Sequence, residues 1–264
     1  MHTVLLLAAL AASLDGKKIH YTSYGTGPQA VVLVHGWTCD ETFWRDQVPA
    51  LRQGHRVITV DLPGHGRSEV PLESRMTMEN FARAVNEVLV EAGVSQAVLV
   101  GHSMGTPVIR QFARLYPAKT RALVLMDGTI FPPKEAAGRQ GRGLVYRGEA
   151  GLRARRAAVR SYFGDATTPA LREHIERVML ETAEATAAGA IDGMLAVEVW
   201  RDESPVRVPV LAVYAGSSGV SRKYLRQLFP ALEYHAIRGA GHFLMLEKPG
   251  LVNAVLLAFL RRLA

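Results

Sequence analysis

The chain has 264 residues, 48% apolar and 21% charged, which allows one large domain or two modest ones with a sizeable core. Its single cysteine, Cys39, excludes an intrachain disulfide and any multi-cysteine metal site. The net charge of +7 is concentrated between Lys134 and Arg177, where ten Lys or Arg face five Asp or Glu; with no nucleic-acid-binding motif beside it, a solvated basic face or an attraction for anionic substrates or surfaces is expected, not a nucleic-acid partner.

The chain opens on MHTVLLLAALAAS, an apolar run ending in small residues, as in a signal peptide. The run is short and no Lys or Arg precedes it, so a leading apolar segment over residues 1–14, in a cytoplasmic protein, is favoured over a cleaved export signal. No later stretch reaches the ~18 apolar residues of a membrane span, and stable membrane insertion is not expected.

Strand and helix signals then alternate. KIHYTSY from Lys17 alternates in the manner of a strand, and AVVLVHG from Ala30 is a continuous apolar run closed by glycine. FWRDQVPALRQ from Phe43 is a short amphipathic segment, and RVITVD from Arg56 is a strand ending at Asp61 before the turn-rich PGHGRS. Apolar residues at helical spacing from Met78 predict a helix that stops at Gly93. QAVLVG from Gln96, MGTPVIRQFARLY from Met104 and RALVLMD from Arg121 read as strand, helix and strand. Continuous apolar runs separated by helices predict an α/β protein with a mostly parallel, doubly wound sheet. Residues 130–205 hold no convincing strand and are expected to form a helical insertion over the C-terminal edge of the sheet. The rhythm resumes with VPVLAVYAG from Val208, SRKYLRQLF from Ser221, LEYHAIRG from Leu232 and a last helix from Leu251. Residues 15–129 and 206–264 thus form the expected core, and 130–205 the expected lid.

The chemistry is concentrated in LVGHSMGTP, residues 99–107. A strand ends at Gly101 and a helix begins near Met104, so Ser103 falls in the sharp turn between them. A G-x-S-x-G turn in that setting exposes a serine oxygen on a strained backbone. A serine hydroxyl needs a base, and His242 in RGAGHFLMLEKP is the expected one, in a glycine-flanked loop after the last strand. His102 is expected to turn away into the packing of the elbow, and His35 and His65 to serve the HGW and PGHGRS turns that hold them. An acyl-transfer oxyanion needs two N–H donors, expected from the backbone of Met104 and of Trp37 in the HGW turn.

HGW at 35, DLPGHGRS at 61, GHSMG at 101 and GHF at 241, in this order, resemble the motifs of the α/β-hydrolase superfamily, in its serine esterase or lipase-like branch with a helical lid. The resemblance runs from about residue 15 to the end and is weakest over the insertion. It implies a Ser–acid–His triad with no metal and no organic cofactor. In most members of that superfamily the acid follows the seventh strand. Here that loop, YAGSSGVSRKY from Tyr214, carries no carboxylate. Asp202, Glu203 and Glu233 lie at the wrong edge, which leaves Asp127 at the end of the sixth strand, as in some members. The competing reading of Asp127 is a turn or helix-capping aspartate. Glu247 is expected to cap the last helix or orient its entry, and Asp61 with Arg67 to hold turns together.

A serine in place of an aspartate removes the dehalogenase and epoxide-hydrolase branches, whose intermediate is an alkyl ester. Acyl transfer remains: hydrolysis of a small-molecule carboxylic ester, lactone or related bond through an acyl-enzyme. The alternatives are a non-catalytic ligand-binding protein of the same fold, a carbon–carbon hydrolase, or a cofactor-free peroxidase using the same triad. His35, Phe131 and Trp200 are expected to line the substrate pocket, with Tyr146, Tyr162, Phe163, Met179 and Met194 as further candidates; for each of the lid residues among them, packing in the lid core is the equal alternative. The sequence leaves the natural substrate and the oligomeric state open.

Overall fold

A computed structural model describes residues 10–263. Its eight strands are β1 (Leu10–Leu14), β2 (Lys17–Tyr24), β3 (Ala30–Val34), β4 (Arg56–Val60), β5 (Ala97–His102), β6 (Thr120–Met126), β7 (Val210–Ala215) and β8 (Leu232–Ile237). They form one sheet in the order β1-β2-β4-β3-β5-β6-β7-β8. β2 pairs antiparallel with both β1 and β4, and every other pairing is parallel.

Burial explains the order. Every residue of β3, β5 and β7 is buried, as strands covered on both faces require. β8 at one edge keeps most of its residues half-buried. β1 at the other edge falls within the apolar segment expected to lead the chain, so the last five residues of that segment belong to the sheet. The rest of the segment lies outside the described residues.

The helices are α1 (Val48–Leu51), α2 (Met78–Glu91), α3 (Gly105–Leu115), α4 (Pro133–Ala137), α5 (Gly148–Ser161), α6 (Pro169–Glu181), α7 (Glu184–Leu195), α8 (Val197–Arg201), α9 (Arg222–Leu228), α10 (Leu244–Glu247) and α11 (Pro249–Arg261). In α2 the Thr77 hydroxyl caps the start by accepting from the Asn80 N–H, Phe81, Val85, Val88 and Leu89 face the core, and Gly93 ends the run at φ +64°. Between β6 and β7 the chain runs through α4 to α8 without a strand.

That helical segment is pinned to loops at the C-terminal ends of the strands. Trp37 Nε1 donates to Ala187 O at 2.8 Å, and Thr182 Oγ1 donates to Thr38 O at 3.1 Å. From α3, the guanidinium of Arg110, 1% exposed, donates to the carbonyls of Val199 and Asp202. Burial and the nearby Arg114 lower its pKa to about 10. No helix among the described residues is long and apolar enough to cross a membrane.

Candidate active site

Ser103 stands between the end of β5 and the start of α3 with φ +50°. Three hydrogen bonds hold it there: its N–H donates to Met126 O at 3.1 Å, and its carbonyl accepts from Thr106 N at 3.0 Å and Thr129 N at 3.2 Å. The flanking glycines are sterically required. A Cβ on Gly101 would lie 2.4 Å from Gly105 O, and one on Gly105 would lie 2.4 Å from Val34 O. Helix α3 therefore starts against strands β5 and β3 at a separation that other residues would widen.

His242 and Asp127 meet. His242 Nδ1 lies 2.7 Å from Asp127 Oδ2, with the two side chains 18% and 12% exposed. A carboxylate only accepts, so Nδ1 carries the proton and Nε2 is left as the basic nitrogen. The other carboxylate oxygen of Asp127 accepts from Ala215 N at 2.9 Å, and its own N–H donates to Val213 O at 2.8 Å. Asp127 also has positive φ, +41°. The Tyr214 hydroxyl donates to Gly128 O at 3.0 Å and fixes the turn that follows. Burial and the Asp127 carboxylate push that phenol up, so it stays a neutral donor.

The loop carrying His242 is held from three sides. His242 N–H donates to Tyr162 O at 3.2 Å, and its carbonyl lies 3.0 Å from His102 Nε2. That carbonyl can only accept, so His102 is protonated on Nε2; burial keeps the ring far below the usual histidine range and uncharged. Glu247 accepts from both Thr167 Oγ1, at 2.6 Å, and the Gly241 N–H, and so links the histidine loop to the segment between β6 and β7. Its role lies in this bracket and not in capping the last helix.

Trp37 and Met104 are both buried, and among the described residues neither backbone N–H is used in a hydrogen bond. Gly36 brings the Trp37 turn against the elbow: a Cβ there would lie 3.0 Å from Ser103 Cβ.

Of the residues expected to line the pocket, Tyr162 and Phe163 border a cavity beside the His242–Asp127 pair, whereas His35, Phe131 and Trp200 do not. His35 is fully buried, with Nδ1 on Gly36 O at 2.8 Å and Nε2 accepting from Leu62 N at 3.0 Å. Burial lowers its pKa to about 4, and it is a neutral brace between two loops. Trp200 is 1% exposed and donates to Met194 O at 2.8 Å inside the helical segment, and Phe131 packs on its edge under Arg139. The cavity beside the His242–Asp127 pair, of about 630 Å³, is walled by Tyr162–Asp165, Ala215–Ser218 and Arg238–Gly241. Asp61 accepts from the N–H groups of Glu41 and Arg67 across the PGHG turn. Tyr214, Glu247, His102 and Arg110 act on backbone atoms, which sequence spacing does not reveal.

Comparison with known proteins agrees with this architecture. The profile of the alpha/beta hydrolase fold family matches residues 29–154. Bifunctional epoxide hydrolase 2 of Sus scrofa is 36% identical over 119 residues, covering 44% of this chain and 21% of that protein. A 2-hydroxy-6-oxononadienedioate/2-hydroxy-6-oxononatrienedioate hydrolase of Burkholderia vietnamiensis is 37% identical over 122 residues, 45% of this chain and 42% of that one. The aligned stretch thus spans less than half of either relative. The structure of a thermophilic esterase from Thermogutta terrifontis superposes with a TM-score of 0.84 at 26% identity, covering 97% of this chain and 99% of that one. Residues 29–154 thus carry the α/β-hydrolase fold family's signature, and the chain as a whole has the architecture of an esterase of that fold.

Proposed function

We propose that the chain is a serine hydrolase that cleaves a carboxylic ester, a lactone or a related acyl bond of a small molecule. The observation that carries this reading is the 2.7 Å pairing of His242 Nδ1 with Asp127 Oδ2, one strand away from a serine held at φ +50°. In the proposed cycle His242 Nε2 takes the proton of Ser103 Oγ as the oxygen attacks the acyl carbon. The N–H groups of Trp37 and Met104 stabilise the resulting oxyanion. The imidazolium, steadied by Asp127, gives its proton to the leaving alkoxide and releases the alcohol. Water, deprotonated by the same nitrogen, then attacks the acyl-enzyme, and the carboxylic acid leaves as Ser103 regains its proton. The helical segment over residues 130–205 serves as the lid.

The relatives' names span epoxide, carbon–carbon and ester hydrolysis. Residue 103 argues against the first on chemical grounds, because opening an epoxide through a covalent intermediate needs a carboxylate that water can later release from the alkyl group. A serine would leave a stable ether. The Burkholderia relative keeps a carbon–carbon hydrolase as the second reading, since a carbon–carbon bond beside a ketone is open to the same machinery. The test is turnover of short-chain p-nitrophenyl esters and labelling by a fluorophosphonate, with wild type beside Ser103→Ala. Wild type should turn over and take the label, and the variant should lose both, with kcat down roughly 10⁴-fold or more. Folded wild-type protein that does neither would overturn the reading, and cleavage of a 2-hydroxy-6-oxodienoate in preference to any ester would favour the second one.

A further inference from the structure

The basic stretch noted in the sequence is only partly used by the fold. Between Arg139 and Arg160 the chain carries seven arginines and a single acid, Glu149. Four of the seven have work inside the molecule. Arg147 pairs with Glu73, Arg160 pairs with Glu176, Arg139 lies over the Phe131 ring, and Arg155 is buried and donates to Thr182 O at 2.8 Å. Arg142, Arg153 and Arg156 are exposed and join no ion pair among the described residues.

These three share their surface with apolar side chains. Leu144 is 70% exposed, Val145 58% and Leu152 41%. Helix α5 buries Gly151, Arg155 and Val159, every fourth residue, so Leu152, Arg153 and Arg156 lie on its outer face. The turn that presents Leu144 and Val145 is pressed against the same helix: a Cβ on Gly151 would lie 2.2 Å from the Tyr146 carbonyl carbon. Isolated exposed apolar residues are ordinary on a soluble protein, but three on adjoining elements, ringed by unpaired cations, form an amphiphilic patch.

We infer that this face of the helical segment docks on an anionic lipid bilayer. Leucine and valine side chains would enter the interface between headgroups, and the guanidinium groups would stay at phosphate level on their apolar stems. Charge complementarity selects this occupant. A second copy of the chain would set arginine against arginine across a two-fold interface, and a nucleic acid would find no exposed aromatic ring among these residues on which to stack a base. The contact is peripheral and independent of the chemistry proposed for Ser103.

Co-sedimentation of the full chain with vesicles tests the inference. Binding to phosphatidylcholine vesicles containing phosphatidylglycerol should exceed binding to phosphatidylcholine alone by about tenfold or more at low salt, and should collapse at high salt. Arg153→Ser with Arg156→Ser should remove the preference for anionic vesicles. Leu144→Ser with Val145→Ser should weaken binding to them at any salt. Both pairs lie on the surface, so circular dichroism should match wild type. Equal binding to the two vesicle types, no binding at low salt, or full binding by the Leu144→Ser, Val145→Ser variant would overturn the inference. So would a concentration-dependent dimer in lipid-free solution that this variant abolishes, since that assigns the patch to a second copy.

Discussion

Ser103 and Asp127 both hold positive φ at the C-terminal ends of neighbouring strands, a conformation that costs a non-glycine residue of order 1–3 kcal/mol. Each is held by its backbone: Ser103 through Met126, Thr106 and Thr129, and Asp127 through Val213. From this position the Asp127 side chain meets the histidine loop. Asp127→Asn tests the acid while preserving this frame, because the amide oxygen can still accept from Ala215 N. The amide nitrogen would then face His242 Nδ1 and favour the wrong tautomer. The expected result is a fall in kcat of roughly 10³-fold or more on a p-nitrophenyl ester, with KM and Tm little changed; nearly full kcat would move the acid elsewhere. Asp127 could be singled out from sequence because the following candidate loop holds no carboxylate. For His35 the motif allows both a turn role and a place in the pocket, and the turn role fits, since both ring nitrogens are taken up by backbone groups.

At the scale of elements, the central strands were legible because parallel strands buried on both faces read as unbroken apolar runs. β1 was not, since LAASL neither alternates nor carries β-branched residues. The attachment of the helical segment was equally hidden, resting as it does on side chains that reach main-chain carbonyls. Arg110 is the test of that attachment. Arg110→Ala leaves a buried cavity and strips the Val199 and Asp202 carbonyls of their donor, so it should destabilise the chain by about 3 kcal/mol, read as a lower denaturation midpoint in urea. A shift no larger than that of a surface arginine would show that the segment is held elsewhere.

For the molecule as a whole, buried histidines dominate the response to acid. Burial lowers His35 to about 4 and His65 to about 3, and holds His102 far below its usual range. Below pH ~6.5 the unfolded chain takes up protons on these rings that the folded chain refuses, so stability falls with falling pH. Asp61 acts in the opposite sense: burial raises its carboxyl to about 6, so the folded state holds a proton there more tightly, and stability is gained as pH drops through that range. Three rings outweigh one carboxyl. Tm should be clearly lower at about pH 5 than at about pH 7, and Asp61→Asn should make the slope steeper by removing the opposing contribution. A flat Tm over that interval would contradict the burial of the rings.

His242 takes its partner from β6, and one consequence reaches past chemistry. The Ala215 N–H that holds Asp127 belongs to the end of β7, and among the described residues the connection that follows to α9 supplies neither charge nor anchor to the pair. Its length is therefore free to drift. New termini, a grafted epitope or a reporter could be spliced in after Gly219, beyond the cavity wall, leaving the elbow and the histidine loop on the framework that already holds them.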